Sequence, residues 1–239
     1  MRITVIYGTG RTELSTTYHL AKMIVDKLSD EDKVFEFFLP KDMSHFCCGC
    51  FKCFEGYHEK CPAYELLKPI REAMNQSELI IFTVPVYVYH APGQVKAFLD
   101  HFAWEWMVHQ PNRDMFNKQA LIISTAAGAG MKSAIKDVKD SMDFWGIARV
   151  YTYKKAIRAG HWNEVKNETK VKMERELFKI ADKIKKNHAH LTPRLKVRFM
   201  FYGCRFMQKK FGFNEPDVKH WRENGWLDGI RPWHTSSIK

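Results

Sequence analysis

The sequence predicts an α/β protein whose centre is a doubly wound sheet of five parallel strands. Two observations carry this. Short apolar runs rich in β-branched and aromatic residues recur along the chain and end at Gly or Pro. Between them lie segments with the apolar spacing of a helix. Alternation of this kind gives a parallel sheet covered on both faces, and right-handed crossovers wind it in both directions.

The elements follow in order. Residues 2–8 read as a buried strand that stops at Gly8. Residues 15–28 place Leu20, Met23, Ile24 and Leu28 at helical spacing. Residues 33–39 form a second strand, stopped by Pro40, and a cysteine-rich loop follows. A helix over 63–76 precedes a third strand, 78–84, closed by Pro85. Pro92 and Gly93 open a helix that is expected to run to about Trp106. A fourth strand spans 119–125, a helix 130–145, a fifth strand 147–153, and a long charged helix runs from about Asn163 to Asn187. Residues 1–187 thus read as one domain. Residues 188–239 read as a basic, aromatic, helical extension too small to fold alone.

Composition narrows the function classes. Of 239 residues, 45% are hydrophobic and 27% charged, enough apolar material for a core. No apolar run reaches the roughly 18 residues of a membrane span, and the strand pattern begins directly at Met1. A secretory leader is therefore not expected, and a cytoplasmic location is. The net charge is +11. Residues 1–152 hold 17 basic and 18 acidic side chains, whereas residues 153–239 hold 21 and 9, so the excess lies in the last third.

In an open α/β sheet, ligands bind beyond the carboxyl ends of the strands, where the strand order reverses. Three such loops have unusual compositions. The first, Gly8 to Thr17, combines glycines, hydroxyls and Arg11 at a helix start, which suits a phosphate. It lacks the Gly-Lys-Ser/Thr ending of a triphosphate loop and lacks G-x-G-x-x-G, so a monophosphate is favoured. The plainer reading is that Ser15 only caps the helix. The second, Pro85 to Gln94, offers aromatic residues on a proline-bounded backbone and suits a flat ring system. Its plainer reading is a turn with two surface tyrosines. The third, Ser124 to Gly130, is all small residues and leaves room for a ring edge, or is simply a small connection.

Together these segments resemble the flavodoxin-like NAD(P)H-dependent FMN reductases. The matching residues are Gly8-Thr9-Gly10-Arg11 with Ser15-Thr16, then Pro85-Val86-Tyr87, Pro92-Gly93 and Lys96-Ala97-Phe98-Leu99-Asp100. The resemblance extends over about residues 1–187, and Trp221 to Leu227 also fits the group. It departs at Gly10, where proline is usual, and at His101, where arginine is usual. It implies a flavodoxin-like sheet of order 2-1-3-4-5 and an NAD(P)H-dependent oxidoreductase, with FMN as cofactor and a quinone or flavin among the small acceptors. By the same resemblance, Thr9, Arg11, Ser15, Thr16 and Thr17 surround the FMN phosphate. Pro85, Val86, Tyr87, Val88 and Tyr89 line the isoalloxazine, and Thr125, Ala126 and Gly128 lie along its other side. No catalytic acid or nucleophile is expected, because the flavin carries the chemistry. His90 reads as a polar rim residue. A homodimer is expected.

Five of the six cysteines fall between Cys47 and Cys61. This crowding indicates a reducing compartment rather than a disulfide framework. The run Cys47, Cys50, Cys53 and Cys61 is compatible with a [4Fe–4S] cluster, as in the iron–sulfur flavoproteins of the same group. It is equally compatible with reduced or redox-active thiols, while zinc is a weaker third reading. With a cluster the protein would be an electron carrier; a flavin-binding sensor or interaction module is the non-enzyme alternative.

Between His190 and Phe213 there are six Lys/Arg and no Asp/Glu. Leu195, Phe199, Tyr202 and Phe206 fall at helical spacing, joined by Met200 and Met207. The expected use of this stripe is packing against the protein or a partner subunit. Peripheral membrane contact is the next reading, and nucleic acid is not an expected partner.

Overall fold

Five parallel strands form one sheet in the order β2-β1-β3-β4-β5, with β1 Ile3–Tyr7, β2 Val34–Phe38, β3 Leu79–Thr83, β4 Gln119–Ala126 and β5 Arg149–Ala156. This computed structural model describes residues 1–29, 33–188 and 190–233. The last six residues of the expected extension, and residue 189, lie outside the described residues. Ile3 of β1 is in register with Val34 of β2 on one side and Leu79 of β3 on the other. The strand order therefore reverses between β1 and β3, and a crevice opens beyond their carboxyl ends.

The period of two within each strand builds two cores. Ile6, Ile80, Phe82, Ala120 and Ile122 face one side, with residues of α2 (Tyr64–Gln76), α3 (Gly93–His101) and α4 (Met131–Phe144). Ile3, Val5, Tyr7, Leu79, Ile81, Leu121 and Ile123 face the other, under α1 (Thr16–Leu28) and α5 (Asn167–His188). Alternate side chains point to opposite faces. Apolar residues at both parities are what a sheet covered on both sides requires.

Three boundaries differ from the sequence reading in ways that matter for the site. β4 and β5 run on to Ala126 and Ala156 and stay paired there. Ser124 and Thr125, where the expected strand and third loop overlap, are strand residues, and so is Ala126, expected in the loop alone. The helix opened by Gly93 stops at His101, not near Trp106. Beyond it, Glu105 turns inward to pair with Arg71, and Trp104 stacks on His58 with the Arg71 guanidinium 5.0 Å from its ring centre. Burial pushes the Glu105 carboxyl up. These contacts hold residues 103–105 in a tight turn rather than a continued α-helix.

The extension forms α6 (Leu195–Lys210) and α7 (Glu215–Glu223). A third core joins Val197, Phe201, Trp221, Trp226 and Trp233 to Met107 and Phe116, which lie between α3 and β4. Trp221 stacks on Phe201 at 5.0 Å and donates to the His109 carbonyl at 2.8 Å. The Asp217 carboxylate bonds His109 Nδ1 at 2.8 Å and accepts from Gln110 Nε2 at 3.1 Å. The familiar Trp221-to-Leu227 segment thus has a packing role. Of the expected α6 stripe, Met200 and Tyr202 pack in part against this core. Val197, Phe201, Cys204 and Gln208 are buried, whereas Leu195, Phe199 and Phe206 of the expected stripe are exposed.

Candidate functional site

The site begins at Gly8. A β-carbon there would stand 2.4 Å from the Thr83 carbonyl oxygen and 2.6 Å from Val95 Cγ2, so only glycine lets β1 turn this close to β3. The Gly8 amide donates to that same carbonyl at 2.8 Å, and Gln94 Nε2 donates to the Gly8 carbonyl at 2.9 Å. The chain then makes a 3₁₀ turn over Thr12–Leu14 and enters α1 at Thr16. Ser15 stands at the cap position, yet its side chain makes no capping bond. Its hydroxyl pairs instead with Thr17 Oγ1 at 2.9 Å. The first-turn amides of α1 therefore have no side-chain partner, and the positive end of the helix dipole faces the crevice. This disposes of the reading in which Ser15 merely caps.

The loop after β3 forms the opposite wall. Val86 N–H donates to the Thr125 carbonyl at 3.1 Å, which continues the sheet pattern beyond β3. Tyr87 and His90 then close a tight turn by bonding each other's backbone in both directions. Val88 and Tyr89, at its tip, have φ of 47° and 66°. Left-handed backbone is uncommon for any side chain and is least tolerated by a β-branched one. Val88 is 93% exposed. Local strain of this sort clusters at binding sites. Tyr87 leans back across the crevice, its hydroxyl 3.3 Å from Thr9 Oγ1. Gly130 locks the third loop against the second. With φ of 91°, its missing β-carbon leaves space that Val86 Cγ1 and the Tyr89 backbone approach to within 2.6 and 2.9 Å of where it would stand.

Between these walls is a cavity of about 160 Å³. Nine of the residues expected to hold the cofactor line it: Thr9, Arg11, Ser15, Thr16, Pro85, Val86, Tyr87, Thr125 and Ala126. Four do not. Thr17 is buried beneath Ser15, Val88 and Tyr89 stand exposed on the rim, and Gly128 points into open space while its neighbour Ala127 lines the wall. His90 is held away from the cavity by Asp137, whose carboxylate lies 3.2 Å from Nδ1 and also accepts from the Ala91 amide.

A fourth wall was missed in the sequence. Ile157, Ala159 and Gly160, just after β5, also line the cavity. Arg11 reaches this segment, donating to the Gly160 carbonyl at 3.2 Å with His161 Nδ1 at 3.0 Å. The segment is fixed by Glu164, whose carboxylate accepts from the Gly160 and His161 amides; those amides hold it below the usual carboxylate range. The signal was the spacing of Glu164 three residues after His161, a capping-box pattern with His in place of Ser or Thr.

The donor set fits a flavin mononucleotide. Uncapped helix amides, the hydroxyls of Thr9, Ser15 and Thr16, and the Arg11 guanidinium suit a phosphate dianion. Backbone and aromatic surface from Pro85 to Tyr87, facing the small residues Thr125 to Ala127, suit one edge of a planar ring.

The cysteines lie elsewhere. Cys47, Cys48, Cys50, Cys53 and Cys61 line a separate cavity of about 540 Å³ beside His45 and His101. Cys61 Sγ is 3.7 Å from His101 Nδ1, the position at which arginine was expected. The backbone amide of Lys52 pulls the Cys50 thiol down, whereas burial pushes Cys53 and Cys61 up. Among the described residues, no three His, Cys, Asp or Glu side chains are placed to hold one metal ion. The four thiols share a cavity without forming a cluster cage.

Comparison with known proteins gives the family. Residues 1–161 match the family model described as NADPH-dependent FMN reductase. An FMN-dependent NADH:quinone oxidoreductase of Pelagibacter ubique (strain HTCC1062) is 29% identical over 168 residues, covering 63% of this chain and 86% of its own. Among solved structures, an azoreductase of Bacillus anthracis str. Sterne superposes with a TM-score of 0.59 at 15% identity, covering 77% of this chain and 100% of its own. Smu.1420 of Streptococcus mutans UA159 superposes with a TM-score of 0.55 at 17% identity, covering 76% and 98%. The last two establish a shared flavodoxin-like fold. With its sheet order, its strand-end crevice and a family match over two thirds of its length, the chain belongs to the NADPH-dependent FMN reductase family and is an FMN-dependent NAD(P)H oxidoreductase.

Proposed function

We propose that the cavity at the ends of β1, β3 and β4 is the FMN site, and that electrons pass there from NAD(P)H to a small acceptor such as a quinone or a flavin. The observation that carries this is the uncapped start of α1, set between Arg11 and the Tyr87 wall. Bound there, FMN supplies hydride acceptance from a nicotinamide and electron delivery to the acceptor. The protein's part is placement. Arg11, Ser15 and Thr16 fix the phosphate, the Pro85–Tyr87 backbone fixes the ring edge, and the Val88–Tyr89 tip forms the rim over which donor and acceptor enter. The Pelagibacter ubique relative is described as a quinone oxidoreductase, which favours a quinone. We take the enzyme to be a homodimer whose second copy covers the open side of the ring, and its location to be cytoplasmic, as the crowded reduced thiols favour.

The test is steady-state oxidation of NADH and of NADPH by purified protein reconstituted with FMN, in the presence of a water-soluble quinone. Sustained turnover that requires FMN is expected, and the ratio of the two kcat/KM values identifies the donor. Absence of turnover with either donor, in protein that retains FMN, would refute the oxidoreductase reading of this cavity.

A further inference from the structure

Helix α6 has two apolar faces, and the fold uses one. Val197, Phe201 and Cys204 face the third core. Leu195, Phe199 and Phe206 lie on the opposite side at spacings of four and seven, 79%, 80% and 59% exposed. Phe211 and Phe213, stacked at 5.2 Å just past the helix end, extend this ridge and are also exposed. Single exposed apolar residues are ordinary, but a contiguous ridge of large ones marks an interaction site. With 3.6 residues per turn, Arg198 and Lys209 flank the ridge on one side and Lys196 and Lys210 on the other. Lys210 Nζ lies 5.5 Å from the Phe206 ring centre and 5.3 Å from that of Phe211. No acidic residue occurs between His190 and Phe213.

A second feature adjoins the ridge. Lys209, Lys210, Lys219 and Arg222 line a cleft of about 450 Å³ beside Phe211, with Glu215 the one carboxylate among the lining residues. Lys219 Nζ is also 3.9 Å from the Glu223 carboxylate. Four cations around one cleft suit a phosphate-bearing headgroup at the level where an inserted ridge would end.

We propose that α6 and the Phe211–Phe213 segment dock the protein on an anionic membrane surface, with the apolar ridge buried at the headgroup boundary and the flanking cations on anionic lipid. This inference stands apart from the flavin reading. Charge favours a lipid surface over a second copy of the chain. A two-fold contact through the same patch would set basic flank against basic flank, without a carboxylate between His190 and Phe213 to relieve it. An anionic bilayer complements both flanks at once, and an amphipathic helix with a basic rim binds such an interface.

The test is sedimentation of the full chain with vesicles of phosphatidylcholine alone and of phosphatidylcholine mixed with phosphatidylglycerol. Binding to the mixed vesicles, little binding to the neutral ones, and release by salt are expected. Phe199→Ser with Phe206→Ser should reduce partitioning at least about tenfold, given the apolar area removed from each contact. Lys209→Glu with Lys210→Glu should abolish the preference for anionic lipid. These side chains are exposed, so an unchanged circular dichroism spectrum will show that both variants fold. Equal partitioning of wild type and variants would overturn the proposal. So would failure to bind vesicles together with a dimer in solution that the serine variant dissociates, since a second copy would then cover the ridge.

Discussion

The two cavities at the cysteine loop and at the strand ends differ in the way that separates space from site. The cysteine cavity is more than three times larger, at about 540 against 160 Å³, and is richer in reactive side chains. Its walls, however, come largely from one long loop, most of whose cysteines are exposed, and they converge on no common point. The smaller cavity is built where four strands end. Its walls are pinned by close backbone approaches at Gly8 and Gly130 and by the sheet-like bond from Val86 to Thr125. Its donors are held before any ligand arrives, and preorganisation, not volume, is what lowers the cost of binding.

If that contrast is right, the largest effect should come from Gly8→Ala. The added methyl must displace the Thr83 carbonyl, a backbone atom, so we expect a loss of about 1–3 kcal/mol of stability and at least about a tenfold weaker FMN Kd. Thermal unfolding and flavin fluorescence quenching would measure both. Next is thiol reactivity. The Cys50 thiol lies below its ordinary value, and Cys53 and Cys61 above theirs. At neutral pH, Cys50 holds more thiolate, so mass spectrometry after brief iodoacetamide treatment should find it modified on the order of tenfold faster than Cys53 or Cys61. The advantage should vanish as pH rises and all three ionise; uniform labelling at neutral pH would show that the loop does not differentiate its thiols.

A smaller effect is expected at the rim. Replacing Val88 with Asn and Tyr89 with Gly supplies the residues a turn with positive φ favours, and should stabilise the fold by about 1 kcal/mol while lowering activity. A drop in stability would mean that the tip is not strained. The smallest effect is at the cysteines themselves. Replacing Cys47, Cys50, Cys53 and Cys61 together with Ser should leave the FMN Kd within about twofold, since none of these side chains touches the strand-end cavity. Loss of FMN on that change would join the two cavities functionally.

Which parts of this contrast were legible in the sequence follows from the physics of each signal. The three strand-end loops were readable because Gly8 to Thr17, Pro85 to Gln94 and Ser124 to Gly130 combine turn residues with ligand-competent ones directly after buried strands. The fourth wall was harder to read, because Ile157, Ala159 and Gly160 carry no polar side chain and the one signal, the Glu164 spacing, marks a cap and not a ligand site. Val88 and Tyr89, expected along the isoalloxazine, stand on the rim and do not line the cavity, since sequence order does not reveal which way a tight turn points. Helix α6 was only partly legible, for another reason. It has apolar residues on two sides, and the stripe of larger aromatics looked more like core than Val197, Phe201, Cys204 and Gln208, yet the Met107 and Phe116 surface accepts the smaller one.

In the proposed site, the start of α1 holds the phosphate of FMN. This is tested most directly by titrating the apoprotein with FMN and with riboflavin, which lacks that phosphate, and repeating both titrations on Arg11→Ala/Ser15→Ala. Charged hydrogen bonds of this type contribute about 1.5–3 kcal/mol each, so wild type should bind FMN at least about a hundredfold more tightly than riboflavin, and the double variant should lose most of that preference while binding riboflavin as before. Equal affinity for the two flavins, or a preference that survives the double substitution, would contradict it.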